Sequence, residues 1–151
     1  MQQPYFFRLL TLTILALFAS GCTRAESGAN PDAAIPKKDT NEGKSLQNPV
    51  PATPESIASG KNLYGRLCAE CHGDKGDGVS EMAASLSEGE LKPSDLTDDQ
   101  WEHGSSDGEI FVFIRDGAVG SGAMKGLNGR PGVGPTEMWN LVNYIRSIHR
   151  K

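Results

Sequence analysis

The amino-acid sequence predicts a small all-α domain. Apolar residues recur every three or four positions in two segments, one leading up to Cys71 and one from about Thr136 to His149, and this spacing places them on one face of a helix. Between these segments, the apolar run Ile110–Ile114 lies between a capping box and a glycine, which favours a helix there too. With 151 residues, the chain has room for one small domain and not for a large multi-domain enzyme.

The first predicted helix runs from Pro54 towards Cys71. Thr53 can cap its N-terminus, Pro54 suits the first helical position, and Glu55 is favourable at the positive end of the helix dipole. Because glycine is unfavourable inside a helix, Gly60 predicts that another helix approaches closely at this position. The residues that share this face are Ile57, Gly60, Tyr64, Leu67, Cys68 and Cys71.

Further helices are predicted downstream. The run Ile110–Ile114 has strand propensity on its own. However, Ser106 and Glu109 form a capping box ahead of it, and Gly117 can end a helix after it. Thr97–Trp101 is predicted to form a shorter helical turn. The last helix has an apolar face for packing against the first, made of Met138, Leu141, Val142, Ile145 and Ile148.

Residues 1–21 have the features of a bacterial export signal. Leu9–Ala19 is an apolar run of eleven residues, which is too short for the roughly 20 residues that span a bilayer. Cys22 follows small residues in a pattern that resembles the lipobox of bacterial lipoproteins, although Ala19 stands where that pattern usually has leucine. The resemblance implies that Cys22 is acylated and anchors the protein on the periplasmic side of a bacterial membrane. The alternative is a signal cleaved near Ala19, which leaves Cys22 free and the protein soluble in the periplasm.

Residues 22–53 are predicted to be a flexible tether, and residues 54–151 to be the folded domain. The tether has four prolines, few large apolar residues and no periodicity, so it cannot bury enough surface to offset the entropy of ordering. Without residues 1–21 the net charge is −5, and all of this excess lies in the domain. An acidic domain argues against nucleic acid as a partner and favours partners with a basic patch.

The sequence CAECH at residues 68–72 is a C-x-x-C-H motif, which is typical of covalent haem c attachment. Cys68 and Cys71 share a helix face, so each can form a thioether with a haem vinyl group, and His72 is placed to bind the iron. A thioredoxin-type pair would need a strand-to-helix junction, and a zinc site would need more ligands at suitable spacing. A simple disulfide would leave the histidine unexplained. The sequence therefore predicts one haem c.

From residue 55 to residue 151, the sequence is similar to the class I mono-haem c-type cytochromes. Gly60 and Tyr64 match the glycine and the aromatic residue that pack on the C-terminal helix in this family. The matching partners on that helix are Leu141 and Tyr144. Lys92–Leu96 resembles the segment whose proline carbonyl, here that of Pro93, accepts the N–H of the axial imidazole. The resemblance implies a cytochrome c-like fold of three to five helices wrapped around one haem.

The resemblance also implies a methionine as the second axial ligand, on the loop before the last helix. Met124 lies at that place in the glycine-rich segment 117–134, where tight wrapping over a haem favours glycine. Lys125 departs from the family pattern, which often has proline there. Weaker rivals for the ligand position are Met82, Met138 and a residue expected in a solvated turn, His103. Candidates for bonds to the haem propionates are Trp101, Arg115 and Arg130.

With histidine and methionine on its two faces, the iron has no free position for a substrate, so the resemblance implies one-electron transfer and not enzymatic catalysis. We expect a monomer that shuttles electrons between periplasmic or membrane-bound redox proteins. The alternative is a dedicated haem c subunit of a dehydrogenase or terminal oxidase complex. A haem sensor or gas-binding protein is less favoured, because it requires Met124 to leave the iron.

Overall fold

The structure is a computed structural model that describes residues 41–118 and 123–150. The predicted export signal and Cys22 lie outside the described residues. Within the described ranges the chain forms α-helices and no strand, with one isolated β-bridge between Gly117 and Lys125. The helices are α1 (Asn41–Ser45), α2 (Pro54–Leu67), α3 (Ala69–His72), α4 (Glu81–Ser85), α5 (Asp107–Asp116) and α6 (Pro135–Ile148). None of these helices is long and apolar enough to cross a bilayer.

Helices α2 and α6 pack closely against each other and contribute much of the hydrophobic core. At Gly60 a Cβ atom would overlap the backbone carbonyl of Asn140, which confirms the predicted close approach. One turn later, the rings of Tyr64 and Tyr144 pack with their centroids 5.1 Å apart. Leu63, which the sequence analysis did not place on this face, is also buried here. We call this closely packed pair of helices, α2 and α6, the helix frame.

The middle helix, α5, begins and ends as predicted. The Ser106 hydroxyl accepts a hydrogen bond from the backbone N–H of Glu109, and the Glu109 carboxylate accepts one from the N–H of Ser106. Gly117 ends the helix with a φ of 74°, a left-handed value that favours glycine. Phe111 stacks on Trp139 of α6, with ring centroids 4.0 Å apart. Helix α5 is therefore buried against α6, and the strand alternative is wrong.

The prediction of a helical turn at Thr97–Trp101 is wrong. The Asp95 carboxylate accepts hydrogen bonds from both the backbone N–H and the hydroxyl of Thr97. This side chain therefore takes the N–H that a helix would use, as aspartate often does in turns. The Thr97 carbonyl is also engaged, by the backbone N–H of Arg150 at 2.7 Å. Residues 97–99 form bends, and residues 100 and 101 are irregular, so no part of this segment is helical.

The tether prediction is also wrong for residues 41–53, which we call the N-terminal strap. Helix α1 packs on α5, and Leu46 and Val50 pack against the hydrophobic core. The Asn48 amide donates to the Asn143 side chain of α6 at 2.8 Å, and Asn143 donates back to the Val50 carbonyl at 3.0 Å. The folded domain thus begins earlier than residue 54, because these long-range contacts compensate for the weak local propensity. For residues 22–40 the tether stays a prediction, since they lie outside the described residues.

Candidate functional site

The C-x-x-C-H motif lies where α2 ends and α3 begins. Cys68 is the break between the two helices, with a backbone φ of −122° and ψ of −36°, so the predicted single helix to Cys71 is divided. The backbone N–H of His72 still donates to the Cys68 carbonyl at 2.9 Å. Both cysteines are half-buried, and neither takes part in a disulfide. The short helix thereby presents two sulfurs and an imidazole from one stretch of backbone.

The glycine-rich turn after the motif folds back on it. The backbone N–H of Gly78 donates to the His72 carbonyl at 2.9 Å, and the Ser80 hydroxyl donates to the Cys71 carbonyl at 2.8 Å. The Tyr64 hydroxyl of α2 donates to the Gly73 carbonyl at 2.6 Å, and burial raises the pKa of this phenol. The turn needs left-handed backbone at three glycines, Gly73, Gly76 and Gly78. The backbone around the motif is therefore held from both sides.

The His72 imidazole is oriented by a backbone carbonyl, as predicted, but the carbonyl belongs to Ser94 and not to Pro93. The distance from His72 Nδ1 to the Ser94 oxygen is 3.0 Å. The Pro93 carbonyl instead faces Gly78, and the next anchor of the segment is the bond from Leu96 N–H to the Gly76 carbonyl at 2.6 Å. Between these two contacts, the carbonyl that reaches the imidazole is that of Ser94.

This contact decides which nitrogen of His72 can bind a metal. A carbonyl oxygen only accepts hydrogen bonds, so Nδ1 carries the proton and Nε2 keeps its lone pair. Such a contact is the usual way in which proteins fix the ring of a metal-binding histidine. Ser94 also donates through its hydroxyl to the Glu102 carboxylate at 2.6 Å. The sequence pointed to the segment that contains Ser94 but to the neighbouring carbonyl of Pro93, and no motif marks Glu102.

A largely apolar cavity opens beside the motif. Its empty space measures about 690 Å³ when the part open to solvent is included. Cys68, His72 and Met124 all lie on its walls. The apolar wall is made mostly of Leu96, Ile110, Phe113, Ile114, Leu141 and Ile145. The cavity therefore combines the motif with the predicted second ligand and with walls suited to a large apolar macrocycle.

Among the methionines in the described ranges, Met124 is the one that lines this cavity. Met138 is buried in the core on α6, and Met82 is 38% exposed on α4. His103 also lines the cavity, with its ring stacked on Phe113 at a centroid distance of 4.1 Å. The expectation that His103 lies in a solvated turn is therefore only partly correct, because its ring is half-buried against the cavity wall.

The thiol chemistry differs from that of a redox-active cysteine pair. Burial, with a smaller contribution from Cys71, raises the pKa of the Cys68 thiol to about 11. Burial also raises the pKa of Cys71. Reactive pairs of the thioredoxin type need a lowered pKa, so this environment does not favour that alternative. Within the described residues, no three His, Cys, Asp or Glu side chains gather as a metal site.

The three propionate candidates lie in different places. Trp101 lines the cavity, and the Arg146 guanidinium lies 5.0 Å from the centre of its ring. Arg130 is exposed, and its positive charge lies close enough to Cys68 to offset a small part of the rise that burial causes in the pKa of that thiol. Arg115 does not line the cavity, because its guanidinium bonds the carboxylates of Glu42 and Asp116. The prediction for Arg115 is therefore not supported.

Residues 55–145 match the sequence model of a protein family described as cytochrome C oxidase, cbb3-type, subunit III. The chain belongs to this family. It is 30% identical over 95 residues to the cbb3-type cytochrome c oxidase subunit CcoP of Rubrivivax gelatinosus, covering 63% of this chain and 27% of that protein. It is also 30% identical over 91 residues to the subunit FixP of Bradyrhizobium diazoefficiens, covering 60% and 27%. The chain thus spans 27% of the length of each of these relatives.

Solved structures share the fold. The Kuenenia stuttgartiensis reducing HAO-like protein complex matches with a TM-score of 0.59 and 25% identity, covering 70% of this chain and 50% of that one. Cytochrome cL from Hyphomicrobium denitrificans matches with a TM-score of 0.52 and 21% identity, covering 76% and 62%. Cytochrome CL from Methylophaga aminisulfidivorans matches with 0.50 and 21%, covering 69% and 58%. These similarities confirm the predicted all-α cytochrome c-like fold.

The family and the cavity agree on the cofactor. A cytochrome c domain binds haem c covalently, and Cys68 and Cys71 are in place for the two thioether bonds. The cavity fits this group because it is apolar, opens directly beside Cys68 and is bordered by the imidazole of His72. The domain is therefore a haem c domain, as the motif predicted, and belongs to electron transport, as the resemblance implied.

Proposed function

We propose that this cbb3-type subunit III domain is a one-electron carrier whose haem c is bound axially by His72 and Met124. The observation that carries the proposal is that Cys68, His72 and Met124 line the same apolar cavity. A haem held by these two residues would supply one-electron transfer between Fe(II) and Fe(III), at a potential that methionine ligation raises. The role of this chain is to hold the two ligands in place, to exclude water and to leave no position for a substrate.

Binding of carbon monoxide to the reduced protein tests the ligand set. We expect no binding at neutral pH in the wild type, because Met124 occupies the second axial position, and ready binding in Met124→Ala. Met82→Ala is the matched control, since this methionine lies outside the cavity and its removal is expected to leave carbon monoxide binding unchanged. Ready binding to the wild type contradicts the carrier proposal and supports the haem sensor or gas-binding alternative.

A second candidate is that the chain works as a dedicated subunit of an oxidase complex. The family and the two CcoP and FixP relatives support it, because these proteins are named as oxidase subunits. Affinity purification of the tagged full chain in mild detergent tests this candidate. Stoichiometric recovery of a larger oxidase supports the subunit role, whereas recovery of the haem protein alone supports a free carrier.

The partner is proposed to be a redox protein that docks with a basic patch. Two apolar side chains are exposed on the segment that follows the motif: Val79, which is 74% exposed, and Met82. Residues 70–82 contain four acidic side chains and one lysine. Because α4 packs directly on α3, this acidic, partly apolar surface lies next to Cys71. We expect the rate of electron exchange to fall as salt is added; a rate that does not depend on ionic strength contradicts this docking mode.

The lipid anchor on Cys22 is part of the proposal and rests on the lipobox-like sequence alone. An acylated Cys22 would keep the domain on the periplasmic side of a membrane. Metabolic labelling with a radioactive fatty acid tests it: the wild type is expected to take up label and Cys22→Ala is not. An unlabelled wild type supports the soluble periplasmic alternative.

A further inference from the structure

The N-terminal strap and the backbone around Met124 meet at one residue, Arg115, in the last turn of α5. Its guanidinium donates two hydrogen bonds to the Glu42 carboxylate of the strap, at 2.6 and 2.9 Å. Its backbone carbonyl accepts a hydrogen bond from the N–H of Asn128 at 3.0 Å. One residue therefore holds the strap with its side chain and the Met124 segment, residues 123–128, with its backbone.

The end of α5 supports the Met124 segment at two more points. The backbone N–H of Leu127 donates to the carbonyl of Ile114 at 3.0 Å. The N–H of Ala118 donates to the carbonyl of Met124 itself at 2.9 Å. Because these bonds are all made by the last turn of α5 and the residues directly after it, a shift of that turn displaces the backbone of Met124.

The strap is seated closely on α5. A Cβ atom on Gly108 would overlap the backbone carbonyl of Gly43, and one on Gly43 would lie 2.8 Å from the Cα of Glu109. The strap backbone thus lies directly on the helix. The paired bonds between Glu42 and Arg115 match the fork geometry that makes arginine–carboxylate pairs strong and directional.

We propose that the strap is a positioning element for the second axial ligand. Glu42, acting through Arg115, holds the last turn of α5 where it keeps Met124 at the haem. This inference rests on the proposed ligation by Met124. Glu42 lies outside the matched residues 55–145, so a part of the chain beyond the matched domain controls a property of the haem site.

Imidazole titration of the oxidised, haem-loaded full chain tests the inference. Imidazole competes with methionine for ferric iron, and the loss of the near-infrared methionine-to-iron band reports the displacement. Glu42→Gln removes the negative charge and one of the two acceptor oxygens of the strap contact, and it leaves Arg115 bonded to Asp116 at 3.0 Å. We expect its apparent imidazole affinity to rise about two- to fivefold, the factor that corresponds to a partly exposed ion pair. Gly43→Val, which pushes the strap off α5, is expected to raise the affinity at least as much.

The matched control is Asp107→Asn at the other end of α5. Asp107 accepts a hydrogen bond from Arg146 at 2.7 Å and has a comparable exposure, so its loss weakens the same helix without touching its last turn. We expect unchanged imidazole affinity. The inference is overturned if Glu42→Gln binds imidazole like the wild type, or if Asp107→Asn shows the same increase. A wild type without the near-infrared band overturns the Met124 proposal itself, so the two failures are distinguishable.

Discussion

The two sides of the haem cavity are held in different ways. On the His72 side, the backbone of the motif is bonded by the following turn, by Ser80 and by Tyr64 of the buried α2–α6 pair. On the Met124 side, the described backbone is bonded to the end of α5, which the N-terminal strap supports from outside. The covalent attachment of the haem is thus secured by the helix frame. The position of Met124, in contrast, depends on the C-terminal end of α5. Perturbations are therefore expected to affect the Met124 side first unless they break the frame.

The largest effect is expected from breaking the helix frame. Gly60→Ala places a Cβ against the Asn140 carbonyl, and because that neighbour is backbone it cannot turn aside. We expect a loss of about 3 kcal/mol in the free energy of unfolding, measured by chemical denaturation. Gly65→Ala on the same helix is the control, since nothing lies within 4 Å of a Cβ there, and it is expected to stabilise by up to about 1 kcal/mol. Equal effects of the two variants would refute the close approach.

The next largest effect is expected on the Met124 side. Leu127 is 4% exposed and anchors the Met124 segment in the core. Leu127→Ala is expected to cost about 2 to 3 kcal/mol of stability and to let carbon monoxide bind the reduced protein, while the haem stays covalently attached. Measurement of carbon monoxide binding beside the denaturation curve separates the two effects. A destabilised variant that still excludes carbon monoxide would show that the Met124 side is held independently of Leu127.

A smaller effect is expected from a single bond on the His72 side. Tyr64→Phe removes the bond to the Gly73 carbonyl, which still accepts from Gly76 N–H at 3.1 Å. We therefore expect a loss of about 1 kcal/mol in stability, with no change in carbon monoxide binding. Tyr144→Phe is the control, since the described residues include no comparable bond from its hydroxyl. Carbon monoxide binding to Tyr64→Phe would contradict the difference between the two sides.

The His72 side of the cavity was also easier to predict from the sequence than the Met124 side and the strap that supports it. The His72 side was predictable because its chemistry lies in five consecutive residues, and because Gly60 marks the helix contact on its own. Which carbonyl orients His72 was not predictable, since the choice of Ser94 over Pro93 depends on the contacts of Gly76 and Gly78 with a distant segment.

The strap was not predictable for a related reason. Its large apolar residues, Leu46 and Val50, are too few to define a helical or strand period. Its position depends on the close backbone packing of Gly43 on Gly108. It also depends on the hydrogen bond from Arg115 to Glu42. Both contacts join segments that are far apart in the chain. Sequence patterns report local structure well, but they do not report which distant surfaces fit one another.

The near-infrared methionine-to-iron band of the oxidised protein at neutral pH tests the central claim most directly. We expect the band to be present in the wild type, absent in Met124→Ala and retained in Met82→Ala, whose side chain lies on α4 outside the cavity. A wild type that lacks the band, or a Met124→Ala variant that keeps it, would contradict the assignment of Met124 as the second axial ligand.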